Sequence, residues 1–133
     1  LADAIGGVKA LTAVFTIAAA ALAGVSLAGS VGGALTCFVL AMLALGVGNG
    51  SVFQLVPQRF AAEIGVMTGL VGMAGGVGGF YLASSLGLAK QWTGSFAPGF
   101  LIFAALSLVA LAGLMLVKGR WRREWGAAAG VRI

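Results

Sequence analysis

Charge is what this chain has least of: 8% of its 133 residues are Asp, Glu, Lys or Arg, against about a quarter in a soluble globular domain. The few charges also cluster. None occurs from Ala10 to Gln58, from Ile64 to Ala89, or from Gln91 to Val117. Histidine is absent, which argues against a haem-bearing membrane anchor of a respiratory enzyme. Cys37 is the single cysteine, so no disulfide forms within the chain. No acidic residue lies in the charge-free runs, so no proton relay can be assigned there, and a four-helix proton-coupled exporter is disfavoured. The glycines lack both GxGxxG and GxxxxGK[ST] spacing, which leaves no nucleotide loop. No cofactor, metal site or enzymatic centre is expected.

What is present is apolar. The chain is 61% hydrophobic, with a mean hydropathy of +1.12. A helix needs about 20 apolar residues to cross a hydrocarbon core of about 30 Å. The first charge gap has room for two such helices and the other two for one each. The fold expected is an all-α membrane protein with four transmembrane helices, over about residues 10–27, 34–56, 64–86 and 98–117. The turn at Gly29, Ser30, Gly32 and Gly33 separates the first pair, and Pro57 stops the second helix. Lys90 to Thr93 make a polar turn, and Pro98 suits the first turn of the last helix. No basic residue lies within these spans.

The net charge of +5 does not indicate nucleic acid, because five of the eight basic residues follow the last apolar run. Lys118, Arg120, Arg122, Arg123 and Arg132, with Trp121 and Trp125 among them, read as a basic cytoplasmic tail over 118–133. Counting sides gives seven Lys and Arg with the termini and the 57–63 loop, against Lys90 alone. Both termini are therefore expected in the cytoplasm. The chain opens in a polar loop, and its small-residue faces need more partners than four helices supply. A carboxy-terminal fragment, residues 1–117 being part of a larger bundle, is the expectation.

Two stretches can carry function. In GVMTGLVGMAGGVGGF, residues 65–80, Gly65, Gly69, Gly72, Gly76 and Gly79 alternate at spacings of four and three, with Gly75 and Gly78 widening the face. Each interior glycine costs a soluble helix roughly 1 kcal/mol against alanine. In a bilayer, bare backbone lets another helix or a small flat solute approach closely. The second stretch, GVGNGSVFQLVP, places Asn49 and Phe53 on one face with Gly46 and Gly50. Asn49 lies about 10 Å inside the expected helix end, where an amide must find a partner. Residue types alone leave both stretches open between a substrate wall and plain helix packing.

The opening LADAIGGVK resembles the end of the loop motif G-x-L-A-D-x-x-G-x-[RK] of major facilitator transporters. GNGSVFQLVP followed by GLVGMAGGVGGF resembles the nitrate/nitrite porter family of that superfamily. The resemblance implies helices nine to twelve of a twelve-helix fold in the cell inner (plasma) membrane, transporting nitrate or nitrite by alternating access. It implies a planar anion held by two arginines of upstream helices. Gly69, Gly72, Gly75, Gly76, Gly78 and Gly79 then approach the anion and permit helix movement. Phe53 stacks on it, and Asn49 is a weaker contact. Asp3 latches a cytoplasmic gate, although Ala4 stands where the stronger motif has a basic residue. A carrier of another small solute and a non-transporting anchor subunit are the competing readings.

Overall fold

The computed structural model describes residues 7–125, with the side chains of all but 58, 59 and 120–125. It contains four long helices: α1 (Gly7–Leu27), α2 (Val31–Arg59), α3 (Ile64–Thr93) and α4 (Ala97–Trp125). One 3₁₀ turn, Ala61–Glu63, joins α2 to α3, and no strand occurs among the described residues. All four helices are long and apolar enough to cross a membrane. The all-α membrane architecture read from the sequence is the one observed.

Every helix is longer than expected, for identifiable reasons. α1 starts at Gly7, so exposed Lys9 lies in its first turn rather than before it. α2 starts at Val31 because Ser30, extended at φ −139° and ψ 151°, caps it: the hydroxyl accepts from the Gly33 N–H at 3.1 Å. Gly32 and Gly33 thus belong to the helix, not to the turn. Pro57 does not stop α2. It removes one N–H, the partner of the Phe53 carbonyl, but its fixed φ is helical and the last turn closes with Phe60 N–H on Val56 O at 2.9 Å.

α3 continues through Lys90 and Thr93, and stops at Gly94. That residue sits in the left-handed region at φ 73°, with its N–H on the Lys90 carbonyl at 3.0 Å. Ser95 then accepts from Ala97 N–H at 3.1 Å and starts α4, with Pro98 in its first turn as expected. α4 runs past 117 to Trp125, so the basic segment begins as helix. The rest of the tail, and Asp3, lie outside the described residues.

α1 is the centre of the bundle, with Val8, Leu11, Val14, Ala18 and Leu22 buried between α2 and α4. Three close approaches run down the α1–α2 pair. A Cβ built on Gly7 would meet Leu55 at 2.7 Å, one on Gly48 would meet Val14 at 2.7 Å, and one on Gly24 would meet Cys37 Sγ at 3.0 Å. The paired numbers fall on one helix as they rise on the other, the signature of an antiparallel pair. Ala21, Leu22, Ala41 and Ala104 form the small core where α1, α2 and α4 meet. α3 has no buried residue and touches α4 chiefly near its end, where a Cβ on Gly99 would meet Leu86 at 2.7 Å.

Candidate functional site

α3 stands off from the other three helices around a cavity of about 480 Å³. Its α3 wall is Gly75, Gly78, Gly79 and Leu82. The facing wall is aromatic: Phe15 from α1, Phe38 from α2, and Phe100 and Phe103 from α4. Phe38 and Phe100 meet edge to face, centroids 6.1 Å apart and planes at 75°. The single hydroxyl in the wall, Ser107, already donates to the Phe103 carbonyl at 2.9 Å. The cavity is therefore apolar, with no uncommitted side-chain hydrogen-bonding group in its lining.

The candidate residues divide between this cavity and two other places. Gly75, Gly78 and Gly79 line it. Gly69, Gly72 and Gly76 do not; a Cβ on any of the six would meet nothing within 4 Å. So the glycine face of α3 is open in this structure, and the tight interhelical glycine contacts lie at Gly7, Gly24, Gly48 and Gly99 instead. Asn49 is exposed on α2 and Phe53, one turn on, is half-buried; neither borders the cavity. Gly46 and Gly50 beside Asn49 are likewise open.

Charge is confined to helix ends and to the last two turns of α4, where Lys118 begins the basic segment. Lys90, in the last turn of α3, donates to the Gly94 carbonyl at 2.7 Å and lies 5.3 Å from the Phe96 ring centroid. Its place there also suits the negative end of the helix dipole. Among the described residues no group of three or more His, Cys, Asp and Glu could hold a metal ion.

The aromatic wall was not singled out from the sequence, although the signal exists. Phe38, Met42 and Leu45 follow i, i+4, i+7, and Phe100, Phe103, Ser107 and Ala110 follow i, i+3, i+7, i+10. Each set marks one helix face. In a chain this apolar such faces do not stand out, because there is little polar background to contrast with them.

The chain is similar to three curated proteins whose names bear on these features. It is 44% identical over 79 residues to the nitrite extrusion protein of Bacillus subtilis (strain 168), covering 59% of this chain and 19% of that protein. It is 40% identical over 75 residues to the probable nitrate transporter NarT of Staphylococcus carnosus (strain TM300), covering 56% and 19%. With NarT of Staphylococcus aureus (strain JH9), identity is 33% over 91 residues, covering 68% and 22%. The matched stretches thus span about a fifth of these relatives' length. No family model matches the chain. No solved structure matches it either. Over more than half of its length, the chain is similar in sequence to the nitrate/nitrite porters that its two glycine-bearing motifs resemble.

Proposed function

We propose that this chain is the carboxy-terminal part of a longer transporter that moves nitrate or nitrite across the plasma membrane by alternating access. The observation that carries the reading is the 44% identity to a nitrite extrusion protein over 79 residues, in a chain whose four helices can each span a bilayer. That relative is some five times as long as the match, which leaves room for the eight upstream helices of a twelve-helix transporter.

The distribution of charge supports the same division of labour. An anion entering a bilayer needs compensating positive charge. Here Lys9 and Lys90 sit in terminal helix turns, and the middle of every helix is uncharged. Arginines from the upstream helices supply the attraction, while these four helices supply shape: open backbone at Gly69, Gly72 and Gly76 on α3, and Phe53 with Asn49 on α2. Asp3 acts at the cytoplasmic gate, with both termini of the chain on the cytoplasmic side, the side rich in Lys and Arg.

The deciding experiment is counterflow in proteoliposomes holding the full-length protein. Vesicles preloaded with nitrate should accumulate labelled nitrite or nitrate transiently above equilibrium. No counterflow with either anion, from protein shown to be folded and inserted, would overturn the reading.

A further inference from the structure

Two places in the bundle could touch an anion, and their polar chemistry differs. In the cavity beside Gly75, Gly78 and Gly79, the lining is almost wholly hydrocarbon and Ser107 has spent its hydroxyl on Phe103. The backbone N–H groups of these mid-helix glycines point along α3 to its own carbonyls. An anion placed there would lose its hydration and gain nothing in return.

α2 offers the opposite. Asn49 lies ten residues before the helix end at Arg59, about 15 Å at 1.5 Å per residue, in a stretch with no charged side chain from Ala10 to Gln58. Side-chain hydrogen bonds among the described residues belong to Thr12, Thr16, Ser26, Ser30, Thr36, Ser51, Ser85, Lys90, Thr93, Ser95 and Ser107. Asn49 is absent from that set, so among the described residues its amide has no hydrogen-bond partner. Gly46 and Gly50 on either side carry no Cβ and have nothing within 4 Å of where one would stand, so the amide is not screened. The next turn presents Phe53, a flat apolar face. The other amide of the span, Gln54, lies five residues on, about 140° around the helix. An amide offers two N–H donors without charge, which is what an oxyanion already neutralised by arginine still requires.

Resting on the transport reading above, we infer that Asn49 is a specificity-determining hydrogen-bond donor to the transported oxyanion, and that the cavity beside Gly75, Gly78 and Gly79 holds no anion. The α2 face of Asn49 and Phe53 is then the side of this bundle turned toward the translocation path. The cavity wall is a packing surface.

The test uses the full-length protein in proteoliposomes, with nitrate and nitrite as probes. Asn49→Leu keeps the branching at Cγ and removes both donors; Asn49→Asp keeps the size and shape and replaces donors by acceptors. Both should raise the nitrate KM tenfold or more and change the ratio of nitrate to nitrite transport, while Asn49→Gln retains part of the affinity. Gly78→Ala should leave KM within twofold. KM is independent of how much protein inserts, so a purely structural asparagine would lower the maximal rate and leave KM and the anion ratio unmoved. That outcome, or a Gly78→Ala effect on KM as large as that of Asn49→Leu, overturns the inference. Wild-type protein that exchanges neither anion overturns the transport reading itself, and is seen before any variant is made.

Discussion

Ser26 Oγ donates to the carbonyl of Ala97 at 3.0 Å, joining the last turn of α1 to the first residue of α4 across 71 positions of sequence. The same hydroxyl lies 3.4 Å from the Leu22 carbonyl, the usual helical partner of a serine. The bond matters because α1 and α4 meet on small residues, Ala21 and Ala104 among them. Such contacts gain little from side-chain volume, so a polar tie at one end fixes their register. Ser26→Ala should destabilise the protein by about 0.6 kcal/mol, the typical worth of an interhelical hydrogen bond in a membrane protein. A thermal-unfolding midpoint in detergent measures it. A midpoint unchanged or raised would show that the tie contributes nothing.

The α1–α2 pair makes a sharper prediction. Gly48 lies where any side chain must displace Val14, whose Cγ1 would be 2.7 Å from a new Cβ. Gly48→Val should cost about 1–3 kcal/mol by overpacking. The paired variant Gly48→Ala with Val14→Ala should recover most of the loss by removing the obstructing methyl groups. Failure of the pair to recover would mean that the backbones, not the side chains, are in conflict.

These two helices also show what the sequence could and could not disclose. Charge gaps located all four helices, because hydrocarbon tolerates charge so poorly that its absence is itself a signal. Helix ends were harder. Pro57 was expected to end α2, but a proline near a helix end deletes one hydrogen bond and leaves the last turn possible. Lys90 looked like a loop residue, yet it caps α3 from within the last turn, and Gly94 is the true stop. The glycines are a different case. A stripe is visible in sequence wherever glycine recurs, but whether backbone approaches it depends on the partner helix. Gly7, Gly24, Gly48 and Gly99 form no dense stripe yet make close contact, whereas Gly69, Gly72 and Gly76 are open. Asn49 and Phe53 could be picked out because a polar or aromatic residue is conspicuous in a glycine-rich span.

Gly94 is the one residue in the left-handed backbone region among those described. Alanine there should cost about 1 kcal/mol, because a Cβ crowds the carbonyl in that conformation. There is space for the methyl group, since nothing lies within 4 Å of it. The effect is therefore conformational, and Gly94→Asn should be milder than Gly94→Ala because asparagine tolerates the region better. Unfolding midpoints of the two variants, compared with wild type, give the order; equal losses would point to a steric cause instead.

On α3, Gly76 separates packing from transport. A Cβ at this position meets nothing within these four helices, so Gly76→Leu should leave their packing intact. If the open face is approached by the anion or by a helix that moves during transport, the same leucine should abolish nitrate uptake by the full-length protein while membrane insertion survives. Uptake by cells, normalised to inserted protein, is the measurement. Wild-type uptake from Gly76→Leu would remove α3 from the translocation path.

The last prediction concerns the 133 residues by themselves. Their helices insert on hydropathy alone, since each span exceeds what a bilayer requires. Yet the cations with described side chains stand toward helix ends, Lys9 in the first turn of α1, Lys90 in the last turn of α3 and Lys118 about two turns before the end of α4. A nitrate ion at mid-depth would meet Asn49 but no compensating charge, and hydrogen bonds from one amide cannot replace its hydration. The isolated chain in proteoliposomes should therefore carry no nitrate flux above protein-free vesicles. The full-length protein prepared in the same way should exchange it. Saturable nitrate flux through the isolated chain would show that these four helices hold a complete anion pathway, and that the attraction comes from uncharged groups alone.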